Sequence, residues 1–210
     1  MTEQLNQPIH AFLNIWRHPR RVMRALINRG NMTLAFVFAT VSGIVNAFEF
    51  VQTSELDDAL TNEAVKAAVT IGAGIVSGII FYLLLSVLFM FFGRWLGGKG
   101  QFRELGVAVG WAMLPFIGTF IIAMIEYGLY GSAYLAGGQS LADAQAAYST
   151  LSLILLVVKL FFSVYAIVFL VAGLAEAHRL TLSQGMGVLL IFVVLYFIFW
   201  IAVQALSVDI

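Results

Sequence analysis

The sequence predicts an all-α fold, a polytopic transmembrane bundle of five helices preceded by a short amphipathic segment. The chain of 210 residues is 61% hydrophobic and only 10% charged, whereas about a quarter of a soluble domain is charged. Five apolar stretches each approach or exceed the roughly 20 residues that a helix needs to cross a hydrocarbon core of about 30 Å. The basic residues between these stretches, Lys66 excepted, lie in alternate loops, which is typical of an oriented membrane protein.

The chain divides into an amphipathic cytoplasmic N-terminal segment, residues 1–30, and a transmembrane domain, residues 31–210. The predicted spans are residues 31–51, 69–92, 105–130, 150–173 and 186–206. No small-residue cleavage site follows the first apolar run, so we expect the first span to be retained as the insertion signal.

The N-terminal segment should form two short helices, because Pro8 and Pro19 each suit the first turn of a helix. Gly30 can end the second helix. The apolar stripe of that helix comprises Val22, Met23, Leu26 and Ile27. We expect the helix to lie in the cytoplasmic interface with its arginines near anionic headgroups, as a topology anchor or as a docking surface for a partner or a lipid.

The charges between the spans orient them. Nine of the eleven Lys and Arg residues fall before the first span, between the second and third, or between the fourth and fifth. The opposite side holds Lys66 and six acidic residues, which are Glu55, Asp57, Asp58, Glu63, Asp143 and Asp209. Because Lys and Arg concentrate in cytoplasmic loops, the N-terminus is predicted to be cytoplasmic and the C-terminus periplasmic or extracellular.

Small residues recur at four-residue spacing in the first three spans. They are Ala39, Gly43 and Ala47 in the first, Gly74 and Gly78 in the second, and Gly106 and Gly110 in the third. Helices in lipid associate through close packing, so these three spans should approach one another closely. Pro115 lies inside the third span, cannot donate to the carbonyl of Trp111, and should kink that helix.

Three ionisable residues, Glu49, Glu126 and Lys159, fall inside spans and form a predicted intramembrane polar cluster. A charge in hydrocarbon costs several kcal/mol, so each needs a partner or a water-filled cavity. Lys159 should extend toward the level of Glu126 and pair with it, because helical side chains lean toward their helix N-terminus. Three alternatives stay open: a pair that fixes helix register, a polar pocket for a lipid headgroup or ion, and separate snorkelling to the outer interface.

Motifs for catalysis and cofactor binding are absent from the sequence. It contains neither GxxxxGK[ST], nor GxGxxG after a strand, nor GxSxG, nor HExxH, and it has no cysteine. Glu176 and His178 are two residues apart and would point in different directions on a helix, so we expect no catalytic role for His178. We therefore predict no enzyme, no cofactor, no metal site and no nucleic-acid partner.

Three segments carry a family resemblance. WRHPRRVMRALI precedes the first span, LGGKGQFRELGVAVGWAMLPFI joins the second and third, and AGLAEAHRLTLSQGMGVLL joins the fourth and fifth. With five spans and a cytoplasmic N-terminus, the chain resembles the Yip-one (Ypt/Rab-interacting protein) domain family, of the bacterial five-span inner-membrane type. The most specific element is the turn motif, which comprises Gly97, Gly98, Gly100, Phe102, Trp111 and Pro115.

The resemblance implies a location in the bacterial inner (plasma) membrane. Eukaryotic members are five-span proteins of the early secretory pathway that bind prenylated Rab-type GTPases and shape or sort membrane. Bacteria lack that pathway, and only residues 1–30 stand where the eukaryotic members have a long polar region, so we do not carry GTPase binding over. In the turn motif, Gly97 and Gly98 follow a helix end and should supply the left-handed backbone of a tight turn.

We expect a non-enzymatic protein that organises membrane or partner proteins through a basic cytoplasmic face. This basic face comprises Arg17, Arg20, Arg21, Arg24, Arg94, Lys99 and Arg103. Its expected partners are the lipid bilayer, with anionic lipids at the cytoplasmic face, and a second copy of the chain or another membrane protein. The simpler interpretation is that these charges only orient the spans. The alternative function is a small transporter, channel or lipid-handling protein with a polar site at Glu126 and Lys159.

Overall fold

A computed structural model describes residues 8–52, 63–131, 133–134 and 138–207. These residues are largely helical and include no strand, so the predicted all-α class is confirmed. The helices are α1 (Pro8–Asn14), α2 (Pro19–Arg29), α3 (Thr33–Gln52), α4 (Glu63–Trp95), α5 (Phe102–Ala112), α6 (Pro115–Tyr130), α7 (Gly138–Ala147), α8 (Ser149–His178) and α9 (Leu182–Ser207).

Four stretches of the described residues are long and apolar enough to cross a membrane. They are Ala67–Trp95, Phe102–Tyr130, Ser149–His178 and Leu182–Ala205. A fifth span is reached if α2 and the first part of α3, which are bent by 117° from each other, count as one. The helix α3 has 20 residues and coincides with the first predicted span, residues 31–51. The described residues therefore contain four to five membrane-length helices.

Several helices are longer than the apolar stretches that predicted them. The helix α4 starts at Glu63 and ends at Trp95, and α8 continues to His178, five residues past the predicted end at 173. The added turns contain charged residues such as Arg94 and Glu176, which hydropathy excludes from a span although they favour helical backbone. The helix α7 lies in a predicted outer loop and was not predicted.

Local capping sets three of the helix ends. Gly30 has φ +62° and its N–H donates to the carbonyls of Leu26 and Ile27, so the predicted stop of α2 is confirmed. Arg179 ends α8 with φ +58°, a left-handed conformation that usually favours glycine. At the start of α9, Thr181 and Gln184 bond reciprocally through side chain and backbone N–H, which is a capping box.

The helix break at Pro115 confirms the predicted kink. The helix α5 ends at Ala112, and α6 begins at Pro115 itself. Between them, the Met113 N–H bonds the Gly110 carbonyl at 3.1 Å and the Leu114 N–H bonds the Trp111 carbonyl at 3.2 Å. Both are the shorter i to i−3 bonds of a 3₁₀ turn. The second uses the Trp111 carbonyl, to which Pro115 cannot donate because proline has no N–H.

The contacts divide the chain into two compact units. Unit 1 comprises Met1–Met32, Leu83–Val109 and Val168–Ile210, and unit 2 comprises Thr33–Tyr82 and Gly110–Ile167. In unit 2, α3 and α4 meet at glycines: a Cβ on Gly43 would overlap the backbone of Gly74 and Gly78. A Cβ on Gly110 would overlap Ala35 in the same way, so the close approach predicted for the first three spans is confirmed.

In unit 1, the apolar stripe of α2 is buried by the protein itself. Val22, Met23, Leu26 and Ile27 are each less than 9% exposed. We expected this helix to lie in the membrane interface, but its apolar side chains are already covered by the chain. Because burial of each such side chain contributes about 1.5–3 kcal/mol, protein packing is enough to hold α2 in place. Only its polar side, with the arginines, remains exposed.

Candidate functional site

Two arginines of α2 converge on one carboxylate of unit 1. Glu176 lies in the last turn of α8, with its side chain only 8% exposed. Arg24 donates to Glu176 through Nε at 2.7 Å and Nη2 at 3.1 Å, and Arg20 donates to it through Nε. A second Arg20 bond, at 3.4 Å, reaches the Leu180 carbonyl. These charge-assisted bonds fasten the N-terminal helices to the end of α8.

His178 is the buried centre of unit 1, with 1% of its surface exposed. Its Nε2 lies 3.0 Å from the Phe89 carbonyl, and its Nδ1 lies 3.1 Å from the Gly100 amide N–H. Because a carbonyl only accepts and an amide N–H only donates, this geometry selects the neutral ring with hydrogen on Nε2. A Cβ on Gly93 or Gly98 would overlap the imidazole. His178 therefore holds the end of α4 to the turn that follows it.

The α4–α5 turn, residues 96–101, uses its own backbone N–H groups internally. The amides of Leu96 and Gly98 donate to the Gly93 carbonyl, and that of Gly97 donates to the Arg94 carbonyl. Lys99 and Gly100 donate to the carbonyl and to Nδ1 of His178, and Gln101 donates to Glu104 Oε2. Gly97 has φ +82° as predicted. The same prediction is wrong for Gly98, which does not have a positive φ. Glycine is required there because a Cβ would overlap the side chain of His178. The turn is a braced connection with no N–H group left to cradle a phosphate.

A second ion pair and one cap complete the contacts of unit 1. Arg179 Nη2 lies 3.1 Å from Glu104 Oε1, and the other oxygen of Glu104 caps α5. Arg103 Nε donates to the Gly30 carbonyl at 2.8 Å, which joins the end of α2 to the start of α5. The positive φ of Arg179 costs roughly 1–3 kcal/mol, which the pair with Glu104 helps to offset.

The basic face predicted from sequence divides into two sets. Arg20, Arg24 and Arg103 are engaged in the internal contacts above. The other four are exposed and form no ion pair among the described residues; they are Arg17, Arg21, Arg94 and Lys99. The structure therefore separates basic-face residues that hold the fold from residues whose charge is uncompensated.

In unit 2, Lys159 donates to Glu126, which confirms the predicted pairing. The Glu126 side chain is 6% exposed and belongs to α6, while Lys159 belongs to α8. Near the same helix ends, Tyr130 and Ser152 share a hydrogen bond of 2.8 Å. Polar contacts thus join α6 and α8 at two levels. The side chain of Glu49, the third member of the predicted cluster, lies outside the described residues.

Two members of the turn motif belong to unit 2. Trp111 is buried and packs edge to face on Phe38, with ring centroids 5.1 Å apart, and Pro115 begins α6. Phe102 and the glycines belong to unit 1. The motif therefore combines a turn with a separate packing and kink element of the helix that follows it.

A cavity of about 290 Å³ opens in unit 2 between α3, α4 and the α5–α6 break. It is lined by Ala39, Ser42, Gly43, Asn46, Ser77, Gly78, Phe81 and Met113. Neither Glu126 nor Lys159 belongs to this lining. Within the described part of the chain, no group of three or more His, Asp or Glu side chains is placed to hold a metal ion.

Sequence reasoning missed the partners of Glu176 and the role of His178. One signal was available: Glu104 and Glu176 are the only carboxylates in the two loops and helix ends that also hold Arg94, Lys99 and Arg179. An acidic residue on a strongly basic side of a membrane protein predicts a structural ion pair. Its partners could not be named, because Arg20 and Arg24 are more than 150 positions away.

Comparison with protein families gives one match. The model of the Yip1 domain matches residues 13–203, nearly the whole chain. Neither the curated proteins nor the solved structures gave a match to the sequence.

Proposed function

The chain belongs to the Yip1 domain family, and on that premise we propose that it is a non-enzymatic protein of the bacterial inner membrane. In this proposal it organises membrane or partner proteins through its basic face. The family assignment and the four to five apolar helices make it a multi-pass membrane protein. The side of the membrane and the partners are inferred from the charges of unit 1.

The observation that supports the proposal is the charge balance of unit 1. Its described residues contain nine Lys and Arg side chains against two carboxylates, Glu104 and Glu176. Both carboxylates are already paired with arginines. Four basic-face cations are left without a counter-charge from the described residues. Such a surface attracts anionic lipids and acidic partners, since each exposed cation adds to the local potential.

The same imbalance supports the orientation. Lys and Arg are enriched in cytoplasmic loops close to the membrane ends of spans, so the helix ends and turns of unit 1 that carry its basic residues should face the cytoplasm. In that orientation the N-terminus is cytoplasmic and the C-terminus periplasmic or extracellular. The four uncompensated cations would then meet the anionic headgroups of the inner leaflet or the acidic surfaces of partner membrane proteins, including a second copy of the chain.

Crosslinking mass spectrometry on native membranes tests this function. The structure selects the substitutions: Arg17, Arg21, Arg94 and Lys99 are changed together to Ala, and Arg20, Arg24 and Arg103 are kept because they hold the fold. A charge-conserving variant with Lys at the three arginines and Arg at Lys99 is the matched control. We expect the neutral variant to lose crosslinked partners that the control retains.

An identical partner profile for the wild type and the neutral variant would reject the proposal. The neutral variant keeps the other five Lys and Arg of unit 1, so its orientation should not change. The transport alternative gains no support from the cavity of unit 2, because the lining lacks both Glu126 and Lys159. Their pairing is accounted for by the need to neutralise a charge among apolar helices.

A further inference from the structure

The α4–α5 turn and the helix ends on either side of it carry both cations and large exposed apolar side chains. Arg94 and Lys99 are exposed and belong to the uncompensated set. Trp95 is 68% exposed, although one edge packs on the buried Phe92 with ring centroids 5.3 Å apart. Phe102, at the start of α5, is 37% exposed. Four positions, Lys99 in the turn and the other three at the helix ends beside it, thus alternate along the chain between a cation and an exposed aromatic side chain.

The start of α9 extends the apolar part of this surface. Leu182 and Met186 are both more than 40% exposed. Gly187, one residue further along, packs against Leu96 of the turn, so the start of α9 borders the turn. Arg179 reaches the turn as well, with Nη1 3.4 Å from the Lys99 carbonyl.

The exposed surface of α2 is different in kind. Its exposed side chains are arginines and Asn28, and none of its large apolar side chains is exposed. A cation alone is attracted to any anion, in water or at a membrane. A cation beside an exposed Trp fits the boundary of a bilayer, where the ring lies at headgroup depth and the charge meets phosphate.

We propose that the α4–α5 turn binds the phosphate of an anionic phospholipid. Arg94 and Lys99 contact the phosphate, while Trp95 and Phe102 lie among the upper acyl carbons. The ligand groups are side chains, because the N–H groups of the turn are already bonded. His178 bonds both the turn and the end of α4, so the backbone that carries these side chains is fixed before lipid binds. This inference rests on the proposed function and assigns the lipid contact to one part of the basic face.

Native mass spectrometry of the full chain in a neutral detergent tests the assignment. The protein is titrated with phosphatidylglycerol, with phosphatidylcholine as the zwitterionic match of zero net charge, and with inorganic phosphate. The variants are Arg94→Ala with Lys99→Ala, and the matched control Arg17→Ala with Arg21→Ala, which removes the same charge. We expect the first pair to lower phosphatidylglycerol affinity about twenty-five-fold, from a factor of about five per cation, and the control to lower it less than three-fold.

Trp95→Ala tests the apolar contact with the acyl region, which the charge variants do not test. It should weaken phosphatidylglycerol and phosphatidylcholine by the same factor, because the ring contacts the acyl region that both lipids share. An equal loss in the two charge variants would overturn the assignment while leaving a lipid-binding basic face. No preference for phosphatidylglycerol in the wild type would overturn both. Displacement of phosphatidylglycerol by inorganic phosphate, with Trp95→Ala unchanged, would show a free-phosphate site and overturn the lipid source.

Discussion

Glu176 of unit 1 and Glu126 of unit 2 are two nearly buried carboxylates with very different supplies of positive charge. The side chain of Glu176 is 8% exposed and that of Glu126 is 6% exposed. Glu176 has two arginine partners, which are themselves 44% and 63% exposed. Glu126 has one lysine, which is 27% exposed.

The difference shows how each unit manages charge. Among the described residues of unit 1, cations exceed carboxylates, the arginines paired with Glu176 are exposed, and four cations of the basic face form no ion pair. In unit 2, Lys159 and Glu126 neutralise each other on long apolar helices, where an unpaired charge costs several kcal/mol. An ion pair should tolerate loss of one member when the charge left behind is exposed to water, and should not when that charge is buried. The substitutions below test that contrast.

The largest effect should come from Lys159→Met, which leaves the carboxylate of Glu126 buried without a cation. Removing one partner of a buried ion pair typically costs about 3–5 kcal/mol. The free energy of unfolding of the purified protein, measured by reversible denaturation in mixed micelles, checks this. Lys99→Met is the matched control, because Lys99 is exposed and unpaired in the described residues, and it should change stability by about 0.5 kcal/mol or less.

A double variant sharpens the same prediction. Lys159→Met with Glu126→Gln removes both charges and should recover most of the lost stability, because no ion is then left buried. If Lys159→Met is as mild as Lys99→Met, the pair contributes nothing and Lys159 merely reaches the membrane surface.

An intermediate effect is expected for Gly93→Ala. The added Cβ would overlap the imidazole of His178, and forcing extra volume into a packed site costs about 1–3 kcal/mol. Gly72→Ala in the same helix is the control, because a Cβ there meets nothing within 4 Å. Thermal unfolding should separate the two variants. Equal melting temperatures would mean that the ring is not clamped by the glycines.

The smallest of these effects should follow Glu176→Gln. The two arginines that it leaves without a counter-charge are exposed enough for water to solvate them, so we expect a loss of only about 1 kcal/mol after screening. Chemical denaturation under the conditions used for Lys159→Met allows a direct comparison. A loss as large as that of Lys159→Met would remove the contrast between the pair that leaves exposed charges behind and the pair that leaves a buried one.

Much of this fold followed from local sequence. The stop of α2 at Gly30, the kink at Pro115 and the close contact at Gly43 each depend on a residue with one dominant backbone or steric property. The Lys159–Glu126 pair could also be predicted, because two opposite charges at similar depth in apolar helices have few other partners.

The organisation of unit 1 could not be predicted in the same way. The contacts of His178 with Phe89 and Gly100 cross 89 and 78 positions of sequence. The charge of each loop assigns it to a side of the membrane but does not say which loops are in contact. The stripe of α2 illustrates the same gap, since amphipathicity fits burial against protein as well as against lipid.

The most direct test of the central claim is the side of the membrane on which the basic face lies. The chain has no cysteine, so a single introduced thiol reports one position. Two single-cysteine variants are compared, Asn28→Cys and Ser140→Cys. Asn28 lies beside the arginines of α2 and Ser140 lies in α7, and both residues are exposed and uncharged. With a membrane-impermeant maleimide, intact cells should label only Ser140→Cys, and inverted inner-membrane vesicles only Asn28→Cys. The reverse pattern would place the basic face outside the cell and contradict the account.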